Sequence, residues 1–307
     1  MFLEIKHTNI GYNKPLISNI EATLDLGEVC LLIGNNGVGK TTLIKSILKQ
    51  IPTLQGEIKI NHQNIQSLSI KDIAEKIAIV FSKAPIPTNY TVSDLIGLGK
   101  FIHYPYYFEL STNDKQEVKQ IIKNLNLEEF ENHQLKDLSD GNLQKAFIGR
   151  AIAQNSPFII LDEPTAHLDE ENKIIILKLL RKLAHDYQKL ILFSSHDWRL
   201  AKEFSDKVWY IKNQQLFSGI TEDILTQHSD LLKPILFNFS NSFIPPSIIA
   251  SNAEAEMLYS FLQKKHQKDL SSYNFEYKDS IWCISDEKNQ YFASNFEEIH
   301  QILSNKH

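Results

Sequence analysis

Three short stretches of the chain are apolar at every position, and each ends abruptly in polar or glycine residues. Val29 to Ile33 runs into Gly34, Phe158 to Leu161 into Asp162-Glu163, and Leu190 to Phe193 into Ser194-Ser195-His196-Asp197. An unbroken apolar run of this length suits a parallel strand covered on both faces. Elsewhere the period becomes helical. Leu43, Ile44, Ile47 and Leu48 share a helix face, as do Leu143, Phe147, Ile148, Ala151 and Ile152, and a third helix over 170–184 carries Ile174, Ile175, Leu177, Leu179 and Leu183. Buried strands alternating with such helices predict an α/β fold, a doubly wound and mostly parallel sheet with ligands at the strands' carboxyl ends. Residues 2–8 alternate like an edge strand before a turn at 9–15. Further strands are predicted at 16–17 with 20–24, at 57–61 and at 77–81, and a short helix at 70–74.

The pattern changes twice. Over 82–155, Pro85 and Pro87 mark a loop, Thr91-Val92-Ser93-Asp94 opens a helix, and Tyr104-Pro105-Tyr106-Tyr107 interrupts it. Asp114 to Leu125 then presents Val118, Ile121, Ile122 and Leu125 on one face, so this segment reads as a mostly helical insertion. From residue 236 the chain leaves the strand–helix alternation. A linker over 238–251 contains Pro245-Pro246, and beyond it come a helix over 253–265, a hairpin within 274–293 and a helix over 296–303. The expected organisation is one domain over 1–235, with its helical part at 82–155, followed by a small α+β accessory domain over 236–307.

The turn after the first apolar strand carries the chemistry. Gly34-Asn35-Asn36-Gly37-Val38-Gly39-Lys40-Thr41-Thr42 fits G-x-x-x-x-G-K-[ST] in the order strand, glycine loop, helix. Glycines let backbone N–H groups curl around a polyphosphate, and the helix N-terminus adds partial positive charge. Lys40 suits the β- and γ-phosphates, and the Thr41 hydroxyl suits Mg²⁺. At the end of the second strand, Asp162 suits Mg²⁺ and Glu163 is placed to orient an attacking water. The chain is therefore expected to bind a nucleoside triphosphate with Mg²⁺.

Composition narrows the setting. The 307 residues carry a formal net charge of −5, which leaves no basic footprint for nucleic acid. The only cysteines, Cys30 and Cys283, have no paired spacing, which fits a reducing compartment, with Cys30 as a small core hydrophobe. No apolar run reaches the ~18 residues that a spanning helix needs, so no direct membrane insertion is expected.

Taken together, the motifs resemble the nucleotide-binding subunits of ATP-binding cassette (ABC) transporters over about residues 1 to 235. Residues 34–42 look like Walker A, 158–163 like Walker B, and Leu138-Ser139-Asp140-Gly141-Asn142 like the LSGGQ signature. Ala166-His167-Leu168-Asp169 resembles the D-loop, His196 the switch histidine, and Tyr12 the aromatic residue on which adenine stacks. The resemblance implies a P-loop NTPase core and an ATP-bound, head-to-tail homodimer. Each site would join Lys40, Thr41, Asp162, Glu163 and His196 of one copy to Ser139 and Gly141 of the other, with Glu163, His196 and Lys40 catalytic. Two departures stand out. Asp140 replaces a glycine and Asn142 a glutamine in the signature, and Ser82 stands where the family has the glutamine that links Mg²⁺ to the permease.

Thr91-Val92-Ser93-Asp94-Leu95 followed by Gly99-Lys100 and Tyr104-Pro105 is similar to a TV-x-(E/D)-L…GR-x-P pattern in importers of iron–siderophore, haem and cobalamin complexes. The resemblance thus implies an ATPase subunit held at the inner face of the cell membrane by separate permease chains. Two alternatives are an ABC ATPase switching a soluble machine, and a weakly hydrolysing regulatory module.

Overall fold

The computed structural model describes residues 1–82, 85–104, 109–166, 168–195, 203–228, 243–266, 268–286 and 288–304. The chain divides into two units, Met1–His228 and Ser229–His307.

In the first unit, β1 (Leu3–Gly11), β2 (Pro15–Leu24), β4 (Gln55–Ile60) and β5 (Gln63–Asn64) form an antiparallel sheet in the order β2-β1-β4-β5. β1 is an interior strand here, not the edge strand that its alternation suggests. Alternation reports one buried face, which interior and edge strands of an antiparallel sheet share. A second sheet holds β3 (Val29–Ile33), β6 (Ile77–Val80), β7 (Phe158–Leu161), β8 (Leu190–Ser195), β9 (Lys207–Lys212) and β10 (Gln215–Ile220). Its order is β10-β9-β3-β8-β7-β6; only the edge strand β10 runs antiparallel. All five residues of β3 are buried, as are all four of β7 and all six of β8. Burial pushes the Cys30 thiol pKa well above its ordinary value, so it behaves as an inert core group.

Helices follow the strands: α1 (Lys40–Ile47), α2 (Ile70–Lys76), α3 (Val92–Gly97), α4 (Thr112–Asn124), α5 (Asp140–Ala153), α6 (Glu170–Tyr187) and α7 (Thr221–Gln227). Their starts are chemically marked. Thr91 and Asp94 make a reciprocal capping box at α3, and Ser111, Ser139 and Asp169 cap α4, α5 and α6. Together α3, α4 and α5 form a helical region between β6 and β7. A Cβ at Gly149 of α5 would lie only 2.8 Å from Ile96 Cδ1 of α3, so the close approach of these two helices depends on glycine.

The second unit contains β11 (Ser247–Ile249), α8 (Asn252–Lys265), β12 (Asn274–Lys278), β13 (Ile281–Ser285), β14 (Gln290–Ala293) and α9 (Phe296–Ser304). Its sheet runs β11-β12-β13-β14 around a core that includes Leu258, Leu262, Phe275, Trp282, Ile284 and Leu303. The single hairpin expected within 274–293 is two consecutive hairpins. The second turn is set by Asp286, whose Oδ1 accepts from the backbone N–H groups of Lys288 and Asn289. Part of the expected linker is also a strand, since β11 pairs parallel with β12.

Candidate functional site

The phosphate loop joins the end of β3 to α1. Gly34, Gly37 and Gly39 adopt φ of 154°, 82° and 111°, conformations that L side chains rarely take. At Gly34 the backbone approach is also close, because a Cβ would lie 2.8 Å from Ile211 O and 2.9 Å from Val38 Cγ2. Gly39 occupies the N-cap of α1 with no side-chain cap, leaving the helix start's N–H groups for a ligand. Asn36, Gly37, Gly39, Lys40, Thr41, Thr42 and Glu163 surround a cavity of about 180 Å³. Gly34, Asn35 and Val38 do not line it. Val38 packs against the core, and Lys40 Nζ donates to Gly34 O at 2.7 Å and Asn35 O at 3.3 Å.

Lys40 is 6% exposed. Burial lowers its pKa, opposed by the nearby charges of Glu163 and Asp162. Its closest carboxylate oxygen, Glu163 Oε1, lies 4.0 Å away. An ammonium held this way has an incomplete set of counter-charges, which a polyphosphate in the cavity would complete.

The acidic pair is anchored from two sides. Thr41 Oγ1 donates to Asp162 Oδ2 at 3.0 Å, tying the start of α1 to the end of β7. Ser194 Oγ, at the end of β8, donates to Asp162 Oδ1 at 2.7 Å and accepts from the Glu163 N–H at 2.8 Å. Glu163 has φ 51°, a left-handed conformation that costs a non-glycine residue about 1–3 kcal/mol and persists only when its surroundings hold it. Ser194 is one of those restraints. In the sequence alone this serine is marked only as part of a strand end. The available signal was a hydroxyl placed where a buried apolar strand meets the site, beside the carboxyl end of β7.

Thr41 and Asp162 offer hard oxygen donors of the kind Mg²⁺ takes. Among the described residues, no group of three or more His, Cys, Asp and Glu could hold a metal. Mg²⁺ in general is bound through one or two carboxylates together with substrate phosphates and water. Ser82, just beyond β6, shares a neighbouring cavity of about 250 Å³ with Glu163 and Asp140.

The other predicted site residues do not line the phosphate cavity. Tyr12 stands in the turn between β1 and β2, 61% exposed. Ser139 caps α5, accepting from the Asn142 N–H at 3.4 Å, and Gly141 lies in that helix's first turn. Asp169 caps α6, accepting from the Asn172 N–H at 2.8 Å. His167 and His196 lie outside the described residues.

Comparison with known proteins agrees with this architecture. The family model described as ABC transporter matches residues 17–166. An uncharacterized ABC transporter ATP-binding protein of Methanocaldococcus jannaschii is 33% identical over 225 residues, spanning 73% of this chain and 78% of that protein. The iron(3+)-hydroxamate import ATP-binding protein of Bacillus subtilis is 30% identical over 232 residues, spanning 73% of this chain and 86% of its own. Among solved structures, a dimeric post-hydrolysis ATP-binding cassette bound to ADP and Pi superposes with a TM-score of 0.64 at 25% identity, covering 71% of this chain and 98% of that one.

Proposed function

The chain belongs to the ATP-binding subunits of ABC transporters, an ATPase family, and from that premise we propose that it powers import of an iron-chelate-type substrate, iron–siderophore, haem or cobalamin in class, through separate permease chains. The similarity to the iron(3+)-hydroxamate import protein and the Thr91–Leu95 and Tyr104–Pro105 segments support the substrate class. No described helix is long and apolar enough to cross a membrane, so the proposed seat at the inner face of the cell membrane comes through the permease. The proposed docking region is the helical part at 82–155 within an ATP-binding domain over 1–235, with 236–307 as an accessory domain.

One observation carries the ATPase mechanism: Thr41 and Ser194 together fix Asp162, and Ser194 also fixes the backbone of Glu163. In the proposed mechanism, the loop N–H groups and Lys40 bind the β- and γ-phosphates, and Tyr12 stacks on adenine. Thr41 and Asp162, with Ser82 as a further oxygen, would hold Mg²⁺, which supplies neutralisation of phosphate charge when bound. Glu163 orients water for in-line attack on the γ-phosphorus and takes its proton, and His196 contacts the γ-phosphate. Ser139 and Gly141 of a second copy close on that phosphate, so ATP joins two subunits and hydrolysis parts them. The dimeric ADP- and Pi-bound cassette supports this cycle.

Glu163→Gln tests it. The variant keeps the shape of the site and loses the proton acceptor, so it should bind ATP as tightly as the natural chain and lose turnover by about 10²-fold or more. Turnover retained in that variant rejects the role assigned to Glu163.

A further inference from the structure

Lys189 lies between α6 and β8, at the opposite end of the parallel strands from the phosphate loop, and has no part in the mechanism above. It is 9% exposed. Its Nζ donates to Asn155 Oδ1 and Ser156 O, both at 3.0 Å, and these are neutral acceptors. Among the described residues no carboxylate pairs with it, and burial alone lowers its pKa. An ammonium has three N–H donors, so two neutral acceptors leave both its charge and a donor incompletely met.

Lys189 opens on a cleft of about 400 Å³ between α4, the end of α5 and α6. Ile121, Ile152, Leu179 and Leu183 make its walls apolar. Its charged lining is Lys100, Lys182, Lys189 and Glu117, three cations against one anion. Lys100 is already neutralised, since it pairs with Glu117 and lies 3.5 Å from Asp114. Lys189 is therefore the buried cation in this cleft without a counter-ion. The volume falls in the range of small-molecule sites, which combine apolar walls with a few placed polar groups.

We propose that this cleft binds a small organic carboxylate with an apolar body, the carboxylate on the Lys189 ammonium and the hydrocarbon against Ile121, Ile152 and Leu179. The site is separate from the nucleotide cavity and does not depend on the transport reading.

Octanoate is the probe and octanamide its neutral counterpart, each titrated into the full chain labelled at isoleucine and leucine methyls for NMR. Octanoate should produce saturable shifts at Ile121, Ile152, Leu179 and Leu183. Octanamide and the Lys189→Met variant should each bind about tenfold more weakly, the loss of one charge-assisted hydrogen bond. Leu179→Trp, which fills the cleft from α6, should abolish the shifts. Unchanged ATP affinity shows that each variant is folded, and the octanamide comparison needs no variant. The absence of saturable shifts, equal affinity for octanoate and octanamide, or undiminished binding by folded Lys189→Met or Leu179→Trp overturns the proposal.

Discussion

Replacing Ser194 with alanine probes the restraint that places both carboxylates. Ser194 is fully buried. Alanine removes a hydrogen bond to a carboxylate, worth about 1.5–3 kcal/mol, and leaves the Glu163 N–H without its acceptor, at about 1–3 kcal/mol. Asp162 keeps the Thr41 donor, and local relaxation recovers part of the loss, so the net expected cost is about 3 kcal/mol. Glu163 then loses a restraint on its left-handed backbone. A displacement that raises the barrier by about 1.4 kcal/mol lowers kcat tenfold, the smallest kinetic effect expected. Ser46→Ala provides the control. Ser46 is equally buried, but its hydroxyl has no hydrogen-bond partner among the described residues, so its removal should cost less than about 0.5 kcal/mol. Urea unfolding followed by tryptophan fluorescence in a Trp282→Phe background reads the ATP-binding unit, where Trp209 is buried in the core. Phosphate release reads turnover. If Ser194→Ala and Ser46→Ala cost the same, or if Ser194→Ala keeps natural kcat, the claim that Ser194 positions Glu163 is wrong.

Gly34→Ala should abolish ATP binding in a nucleotide titration, because its Cβ would lie 2.8 Å from Ile211 O at a φ of 154°; retained affinity would show that the loop tolerates that displacement. His266 is expected to make the second unit acid-sensitive. Burial, then His300 and Lys268, lower its pKa from 6.5 to about 4, and its Nε2 lies 2.9 Å from His300 Nδ1. The unfolded chain therefore takes up this proton first as pH falls, and stability declines between pH 6.5 and about 4. The loss should be on the order of 2 kcal/mol after allowance for solvent screening, read by Trp282 fluorescence in urea in a Trp198→Phe, Trp209→Phe background. His266→Gln should remove that part of the pH slope, and an unchanged slope would show that other groups cause it.

Legibility in the sequence followed the kind of physical signal each element carries. β3, β7 and β8 were readable because strands buried on both faces need uninterrupted apolar runs. The phosphate loop was readable because left-handed turns and close backbone approach require glycine at fixed positions. Ser194 was less legible, since a serine at a strand end has many uses and only the neighbouring strand gives it Asp162 as a partner. The neighbours of β1 and the second hairpin at β14 were hidden for a related reason. Alternation records burial on one face and leaves strand order and pairing to tertiary contacts. The burial of Lys189 with only neutral acceptors among the described residues required the fold itself, because nothing local distinguishes it from a surface lysine.

The most direct test of the central claim is to isolate a tagged Glu163→Gln variant with ATP from detergent-solubilised native membranes and identify what accompanies it. The account predicts two copies of this chain with a permease that crosses the membrane several times, held together while ATP is present. Recovery only as a soluble dimer, or with ribosomes, would contradict the importer assignment.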